Sequence, residues 1–205
     1  MIQYDNFMIV ISSPSGAGKS TMIKKLLEWD ENIKLSVSAT TRAPRDGEID
    51  GVHYHFISKD NFEEEIAKDN FIEYAKVFDN YYGTLKREVE SKFQNGKDII
   101  LDIDWQGARN VSDQMDKKRL IRIFILPPSI EELENRLRSR GTDSDEVIEK
   151  RMLKAKDEIS HFNEYDFIVV NDNIDVAFEQ IKSIIISKRL QNVDQLALES
   201  FVDRL

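Results

Sequence analysis

The segment that most constrains the fold of this chain is a glycine-containing turn that follows a short apolar run. The run Phe7-Met8-Ile9-Val10-Ile11 leads into Ser13-Pro14-Ser15-Gly16-Ala17-Gly18-Lys19-Ser20-Thr21. A strand, a glycine-rich turn ending in Gly-Lys-Ser and a helix direct backbone N–H groups and the helix N-terminus at an anion. Residues 13–21 are therefore predicted to bind a nucleoside triphosphate, with Lys19 over the β- and γ-phosphates and the Ser20 hydroxyl on Mg²⁺.

One position departs from the usual pattern G-x-x-x-x-G-K-[ST], because Ser13 stands where a glycine is expected. Glycine lets the backbone pass close to a phosphate without a Cβ in the way. Ser13 fits this position if its backbone dihedrals stay in a region that ordinary residues adopt. The alternative is a plain Gly-Ser loop between a strand and a helix, which the order of elements and the Lys-Ser pair disfavour.

Composition limits the class of protein and its partners. The chain has 205 residues, of which 40% are hydrophobic and 33% charged, which fits one α/β domain or a core with inserted lobes. The net charge of −9 predicts no broad nucleic-acid-binding surface, and the lack of cysteine excludes disulfides and thiolate metal sites. The first apolar run is too short for a signal peptide or a membrane span, so we expect a cytoplasmic protein with no membrane contact. We expect the protein to be a monomer or a homodimer.

Apolar runs alternate with helical patterns along most of the chain. Continuous rather than alternating hydrophobicity predicts strands that are buried on both faces of a parallel sheet, at residues 7–12, 98–103, 120–126 and 167–170. Ligands of such sheets bind at the carboxyl ends of the strands. Helical periodicity is found at residues 19–29, 85–95, 130–140, 145–162 and 176–190.

Two stretches interrupt the alternation. Residues 38–84 are rich in turns, short strands and aromatic side chains, which predicts an inserted lobe. Residues 128–160 contain highly charged helices, which predicts a mobile lid. The remaining segments 1–37, 85–127 and 161–205 would form the core. Residues 191–205 are expected to form an amphipathic helix that packs on the core, with a partner-binding helix as the alternative.

Two arginines in the predicted lobe form the next chemical signal. Arg42 and Arg45 lie three residues apart around Pro44, and Tyr54 follows nearby. Two guanidinium groups that converge suit a dianionic phosphate, because each donates two parallel hydrogen bonds. The alternative is a solvated turn that carries two ordinary arginines, which fits an isolated Arg-x-x-Arg but fits the surrounding residues poorly.

The surrounding residues carry a family resemblance. The run Thr40-Thr41-Arg42-x-x-Arg45-x-x-Glu48-x-x-Gly51-x-x-Tyr54-x-Phe56-Ile57 resembles the signature of guanylate kinases. With the phosphate-binding loop and the runs at 80–84 and 100–104, the resemblance covers residues 7 to about 186. It implies an α/β fold with a P-loop NTPase core, a parallel sheet flanked by helices, an inserted small GMP-binding lobe and a helical lid. It also implies transfer of the γ-phosphoryl group of ATP to GMP with Mg²⁺.

The resemblance assigns the GMP-binding residues. Guanine presents N1–H and N2–H₂ as adjacent donors, and one ionised carboxylate accepts both. Adenine would leave that carboxylate unpaired, and sites of this kind reject the wrong ligand strongly. Spacing alone does not distinguish Glu73 from Glu63, Glu64 or Glu65, and the resemblance makes the choice. The assigned residues are Arg42, Arg45, Tyr54 and Tyr82 for the GMP phosphate, and Ser38, Glu73, Thr84 and Asp104 for guanine.

Phosphoryl transfer requires alignment and cations more than covalent chemistry from the protein. The GMP phosphate is already an anionic nucleophile, so no general base is needed, and His53, His55 and His161 are predicted to be structural. The resemblance implies that Arg140 and Arg151 of the lid act with Lys19 and Arg45 in catalysis, and that Arg136 lies near ATP. From sequence alone, an ion-paired surface helix competes with this interpretation, and Arg138 is predicted to be a surface charge.

Two further polar residues follow predicted strands. Asp102 ends a strand where an aspartate would orient Mg²⁺ together with Ser20, although it could instead cap the next loop. By resemblance, Asn171 lies near the adenine of ATP.

Two other functions stay open at this point. One is a non-catalytic peptide-binding module of the guanylate-kinase-like type, and the other is a kinase for a related phosphorylated ribose compound. The presence of Lys19 and the arginines disfavours the first, and Glu73 with Ser38 disfavours the second.

Overall fold

The structure is a computed structural model that describes residues 4–77, 79–139, 141 and 144–205, without the side chains of residues 196 and 197. Strands and helices alternate over most of this length. The elements in chain order are β1 (Met8–Ser12), α1 (Lys19–Trp29), β2 (Ile33–Leu35), β3 (Ala39–Thr40), β4 (His55–Phe56), α2 (Lys59–Ala67), β5 (Phe71–Val77), β6 (Asn80–Leu85), α3 (Lys86–Gln94), β7 (Asp98–Asp102), α4 (Trp105–Gln114), β8 (Leu120–Leu126), α5 (Ile130–Ser139), α6 (Asp145–Ser160), β9 (Phe167–Val170), α7 (Ile174–Gln191) and α8 (Gln195–Val202).

A parallel sheet with the order β2-β7-β1-β8-β9 forms the centre of the molecule. Along β1, Ile9 and Ile11 pack with side chains of α1 and α7, while Met8 and Val10 pack on the opposite face with α3 and α4. Both faces of the strand are therefore buried, which is why its sequence is continuously apolar. The predicted α/β fold with a parallel sheet flanked by helices is confirmed.

A second, smaller sheet lies between β2 and α3 in the chain, with the order β4-β3-β6-β5. Strands β5 and β6 form an antiparallel hairpin, and β3 pairs antiparallel with β6. A separate small core of Ala39, Phe62, Phe71 and Leu85 supports this sheet, and the Phe62 and Phe71 rings stack at 4.4 Å between centroids. The aromatic residues of the predicted lobe thus have a packing role.

Local signals explain several helix ends. The Ser129 hydroxyl accepts a hydrogen bond from Glu132 N at 3.0 Å, as expected of a residue that caps α5. Gly96 adopts a positive φ of 68° just after α3, a conformation that glycine favours and that commonly ends a helix. The Asp104 side chain accepts from Gly107 N at 3.0 Å and caps α4.

The structure differs from the sequence-based prediction at short or polar elements. Two of these elements were not predicted: β2, which has three residues at the sheet edge, and α4, whose buried side consists of Gly107, Ala108 and Val111. In the segment 191–205, Val193 and Leu198 are half-buried while Phe201 and Val202 of α8 are exposed, so the expected packing of this segment on the core stays a prediction. Among the described residues, no helix combines the length and apolar character needed to cross a bilayer.

Candidate active site

The turn between β1 and α1 forms the predicted phosphate cradle. Gly16 and Gly18 adopt positive φ values of 98° and 100°, which glycine tolerates without strain. Gly18 is the N-cap of α1, and within the described chain no side chain hydrogen-bonds to that helix end. The first N–H groups of α1 therefore stay available to an anion.

Asn171, which directly follows β9, hydrogen-bonds to this turn. Its Nδ2 donates to the Ala17 carbonyl at 2.7 Å, and a Cβ at position 18 would lie 2.3 Å from the same nitrogen. Arg136 in turn donates to the Asn171 carbonyl at 3.1 Å. Of these two residues predicted to bind ATP, Asn171 thus contacts the loop at Ala17 and Gly18, and Arg136 contacts Asn171.

Ser13 meets the condition set by the sequence analysis, which was a backbone conformation that ordinary residues adopt. Among the described residues, the one non-glycine residue with a positive φ is Asp69, so Ser13 keeps an ordinary backbone conformation. Its hydroxyl donates to the Pro14 carbonyl at 3.1 Å, and the residue lines the cavity of the site. A serine at this position therefore imposes no left-handed backbone strain.

Lys19 and Asp102 are brought together by the parallel register of β1 and β7, in which Ile11 pairs with Asp102. The Lys19 Nζ lies 2.5 Å from Asp102 Oδ1. Burial disfavours the ammonium, but the attraction of Asp102, assisted by Glu158, outweighs it and raises the pKa of Lys19. Lys19 is therefore a charged ammonium at neutral pH.

Ser20 and Asp102 are the candidate ligands for Mg²⁺. Both line the cavity, and a hydroxyl and a carboxylate are the hard oxygen donors that Mg²⁺ prefers. No cluster of three or more acidic, histidine or cysteine side chains suited to a metal occurs within the described ranges. A pair of protein ligands fits an ion that arrives with a triphosphate and keeps phosphate oxygens and waters in its shell.

A cavity of about 350 Å³ joins the phosphate-binding loop to the small sheet and to α6. It therefore has room for reacting groups from two ligands at one place. The residues that line it are Ser13, Pro14, Ser15, Gly16, Gly18, Lys19, Ser20, Thr21, Ser38, Tyr54, Glu73, Ala75, Val77, Tyr82, Gly83, Asp102, Ile103, Asp104, Lys154 and Glu158.

Glu73 is a buried carboxylate in this cavity, with 4% of its surface exposed. Its Oε1 accepts from the Thr84 hydroxyl at 2.7 Å. A Cβ at position 107 would lie 2.7 Å from Oε2, so Gly107 leaves space for the second oxygen. Burial raises the pKa of Glu73 to about 7, against the opposing hydrogen bond from Thr84.

The other residues predicted to bind guanine surround Glu73. Ser38 and Asp104 line the same cavity, and Thr84 is buried beside it. One Asp104 oxygen is occupied by the cap of α4. The structure therefore brings together four side chains from three separate parts of the chain, which is the arrangement that the resemblance implied.

Arg42 is held in place by a residue to which the sequence analysis gave no role. Its guanidinium donates to Glu48 Oε1 at 2.8 Å and lies over the Tyr54 ring at 5.4 Å from the centroid. The second Glu48 oxygen accepts from Arg45 N at 2.7 Å. These hydrogen bonds lower the pKa of Glu48 to about 2. The available sequence signal was that Glu48 follows Arg45 at the same three-residue spacing by which Arg45 follows Arg42.

The predicted phosphate-binding residues of the lobe divide into two sets. Tyr54 and Tyr82 contact each other edge to face at 6.0 Å and line the cavity. Arg42 and Arg45 are not among the lining residues of that cavity, and Arg45 is exposed. Arg42 nevertheless packs against a cavity-lining tyrosine, because its guanidinium lies over the Tyr54 ring.

The lid region contacts the phosphate-binding loop directly. Arg151 of α6 donates to the Ser15 hydroxyl at 3.1 Å. Arg138 pairs with Glu134 and Asp145 on the exposed side of α5, as a surface charge would. Arg140, which was predicted to be catalytic, lies outside the described residues. Lys154 and Glu158 of α6 line the cavity and were missed, because charged residues dominate the whole helix.

The three histidines make structural contacts. His161 stacks on Trp105 at 3.7 Å between centroids, and His55 lies 3.1 Å from a Glu88 oxygen. His53 Nδ1 accepts from Ile49 N at 3.0 Å. The structural role of His53, His55 and His161 stays a prediction, and none of the three is among the residues that line the cavity.

Comparison with known proteins places this geometry in a family. The family model for guanylate kinase matches residues 6–188. The chain is 54% identical to the guanylate kinase of Vibrio cholerae over 192 residues, which is 93% of this chain and 92% of the relative. It is 50% identical to that of Paramagnetospirillum magneticum over 198 residues, or 97% of this chain and 92% of the relative.

A solved structure is similar in fold as well as in sequence. The crystal structure of guanylate kinase from Anaplasma phagocytophilum superposes with a TM-score of 0.75 at 35% identity. The match covers 92% of this chain and 89% of the other. Sequence and structure comparisons therefore agree over nearly the whole length.

Proposed function

Because this chain belongs to the guanylate kinase family and transfers the γ-phosphoryl group of ATP to GMP, we propose that ATP binds on residues 13–21 and GMP beside Glu73. The observation that supports this placement most directly is the single cavity that both sites line. A cradle for phosphates and a buried carboxylate for a base, both lining one cavity, match the two substrates of the reaction.

Glu73 recognises guanine in this proposal. Its ionised carboxylate accepts from N1–H and N2–H₂, while Thr84 keeps Oε1 oriented through its 2.7 Å hydrogen bond. Ser38 and the uncapped oxygen of Asp104 complete the polar surface around the base. Adenine would present an acceptor to this carboxylate, so a buried negative charge would lose its donors and AMP would be rejected.

Arg42, Arg45, Tyr54 and Tyr82 bind the phosphate of GMP. Glu48 binds the Arg42 guanidinium and the Arg45 backbone N–H, so the turn that carries both arginines moves as a unit. Because they lie outside the present cavity, we propose that the lobe at 38–84 closes on GMP and carries them toward the phosphate-binding loop. Closure also excludes water, which would otherwise compete with GMP for the transferred phosphoryl group.

The remaining cations stabilise charge on the transferred phosphoryl group. Lys19 exchanges Asp102 for the β- and γ-phosphates, and Arg151, with Arg140 as predicted from the family resemblance, approaches from the lid at 128–160. Ser20 and Asp102 would hold Mg²⁺, which when bound neutralises charge on the triphosphate oxygens. Positioned cations in a closed site are worth more than in water, and they supply most of the catalysis in this class of reaction.

We further propose that the enzyme works in the cytoplasm, where it returns GMP to the purine nucleotide pool, as a monomer or a homodimer. ATP and GMP as substrates support this location. The core would then comprise residues 1–37, 85–127 and 161–205, with the lobe and the lid as its two moving parts.

An acceptor panel tests the proposal. ADP release is measured with ATP, Mg²⁺ and each of GMP, dGMP, AMP, UMP and CMP. We expect turnover with GMP and none above background with AMP, UMP or CMP. Activity with AMP but not GMP would contradict the role of Glu73, and ADP release without any acceptor would contradict a transfer reaction.

A further inference from the structure

Helix α6 presents a charged pair to the cavity that has no role in the mechanism described so far. Arg151, Lys154 and Glu158 follow one another at helical spacing, on the side of α6 that also buries Ile148 and Ala155. Lys154 and Glu158 line the same cavity as Lys19 and Asp102. The pair thus lies on the packed side of the helix, next to the proposed phosphate site.

The burial of this pair distinguishes it from the surface ion pairs of the chain. Lys154 Nζ lies 3.5 Å from Glu158 Oε1, with the two side chains 35% and 12% exposed. The Lys24–Glu28 pair has the same i,i+4 spacing, but its side chains are 77% and 64% exposed. An exposed ion pair of this kind contributes little to the free energy of unfolding. A partly buried pair loses hydration, and contacts with its surroundings must offset that loss.

Glu158 is also incompletely satisfied by the protein. Its Oε2 is buried and has no hydrogen-bond partner in the described part of the chain. Burial raises the pKa of Glu158, while Lys154 and Lys19 favour its ionised form. The negative charge of Glu158 would repel a triphosphate. Its position beside the proposed phosphate site is favourable if Glu158 holds the Lys154 ammonium near the phosphates.

An ammonium on a flexible four-carbon stem is an imprecise ligand for phosphate unless a neighbouring group restrains it. Glu158 supplies that restraint from one helical turn away, and Arg151 already brings α6 against the loop through Ser15. Lys154 therefore has the charge, the position and the anchor of a residue that contacts phosphate.

We propose that Lys154 is a further catalytic residue that contacts the phosphate groups between the two nucleotides, and that Glu158 is the positioning residue that holds its ammonium in the cavity. This inference rests on the placement of ATP proposed above. It goes beyond the phosphate-binding loop and the arginines, because it adds a lysine–glutamate pair from the lid.

The test measures kcat and the KM for each nucleotide in Lys154→Met, Glu158→Gln and the double variant. Lys154→Met is expected to lower kcat at least about tenfold, because a cation at the developing charge is lost. Glu158→Gln should lower kcat as well, with the KM values changed less than kcat. In the Lys154→Met background, Glu158→Gln should add little, because Glu158 acts through Lys154. Lys154→Arg and Glu158→Asp should recover part of the activity.

Matched controls come from the exposed side of the same helix. Lys156→Met and Asp157→Asn should keep wild-type kcat, since both residues are exposed. An unchanged kcat in Lys154→Met, or independent multiplicative losses in the double variant, would overturn the proposal. If Glu158→Gln does not fold, as checked by thermal unfolding, Lys154→Met and Lys154→Arg decide the question. Wild-type enzyme that releases no ADP with GMP would instead refute the placement of the substrates.

Discussion

The proposed triphosphate cradle and the proposed guanine pocket are built in opposite ways. The cradle is one contiguous turn, and its recognition groups are mostly backbone N–H groups at the start of α1, available because Gly18 caps the helix without a side chain. The guanine pocket is assembled from side chains of the region after β2, of the β5–β6 hairpin and of the N-terminus of α4. One site depends on local conformation, and the other depends on tertiary packing.

The difference follows from the ligands. A phosphate is a symmetrical anion that many oriented N–H groups bind equally well, so a helix N-terminus suffices. A purine base is distinguished from another by the pattern of donors and acceptors on one edge, so it needs acceptors at defined positions. Placing a carboxylate there required burial of Glu73, and burial raised its pKa to about 7. If Glu73 selects the base as proposed, specificity has a cost in stability that the cradle does not have.

Replacing the buried carboxylate should separate the two sites most clearly. Glu73→Gln keeps the shape but replaces one acceptor with a donor, so guanine loses charge-assisted hydrogen bonds. We expect kcat/KM for GMP to fall on the order of 1000-fold, with ATP binding changed little. Steady-state kinetics with GMP and calorimetric titration with ATP measure the two effects.

Glu64→Gln is the matched control, because Glu64 is an exposed glutamate of the same lobe. It should leave both parameters unchanged. Equal losses for GMP and ATP in Glu73→Gln would mean that this residue supports the fold of the whole cleft and does not select the base.

The pH dependence of stability should reveal the cost of the buried carboxylate. Because the pKa of Glu73 is raised from 4.5 to about 7, the folded protein holds its proton after the unfolded chain has lost it. Its contribution to stability is full below pH 4.5 and is lost as the pH rises through about 7. The gap between these values corresponds to about 3 kcal/mol of unfolding free energy.

Denaturant unfolding of wild type and Glu73→Gln between pH 5 and 8 measures this contribution by difference. The unfolding free energy of the wild type relative to Glu73→Gln should fall as the pH rises through about 7 and become constant toward pH 8. A constant difference across the range would show that Glu73 titrates like an exposed carboxylate.

The smallest expected effect is on the cradle. Ser13→Gly restores the glycine of the usual loop pattern, but Ser13 already has an ordinary backbone conformation. We therefore expect the KM for ATP to change less than about threefold, because recognition comes from backbone groups that both residues carry. A large fall in this KM would show that the Ser13 side chain obstructs the phosphates. Initial rates at varied ATP and saturating GMP provide the measurement.

How much could be predicted from sequence follows the same division between the two sites. Strands β1, β7, β8 and β9 were predictable from their apolar runs, and β8 and β9 begin and end where expected. The expected burial of residues 167–170 on both faces was wrong, because β9 is an edge strand on which Phe167, Ile168 and Val170 are exposed. Helix α4 was missed, because its buried side carries the small residues Gly107 and Ala108 and one larger apolar residue, Val111. The space that Gly107 leaves for Glu73 and the hydrogen bond from Asn171 to Ala17 had no local sequence signal, because the partners are far apart in the chain.

By itself, the sequence determined the cradle, the parallel sheet and the family, because these depend on contiguous residues whose conformational preferences act over a few positions. Tertiary structure decided which glutamate is buried beside Thr84, which oxygen of Asp104 is occupied by a cap, and which charged residues of α6 line the cavity. These are contacts between elements distant in the chain, and the free energy of burial that selects them exists when the elements pack together.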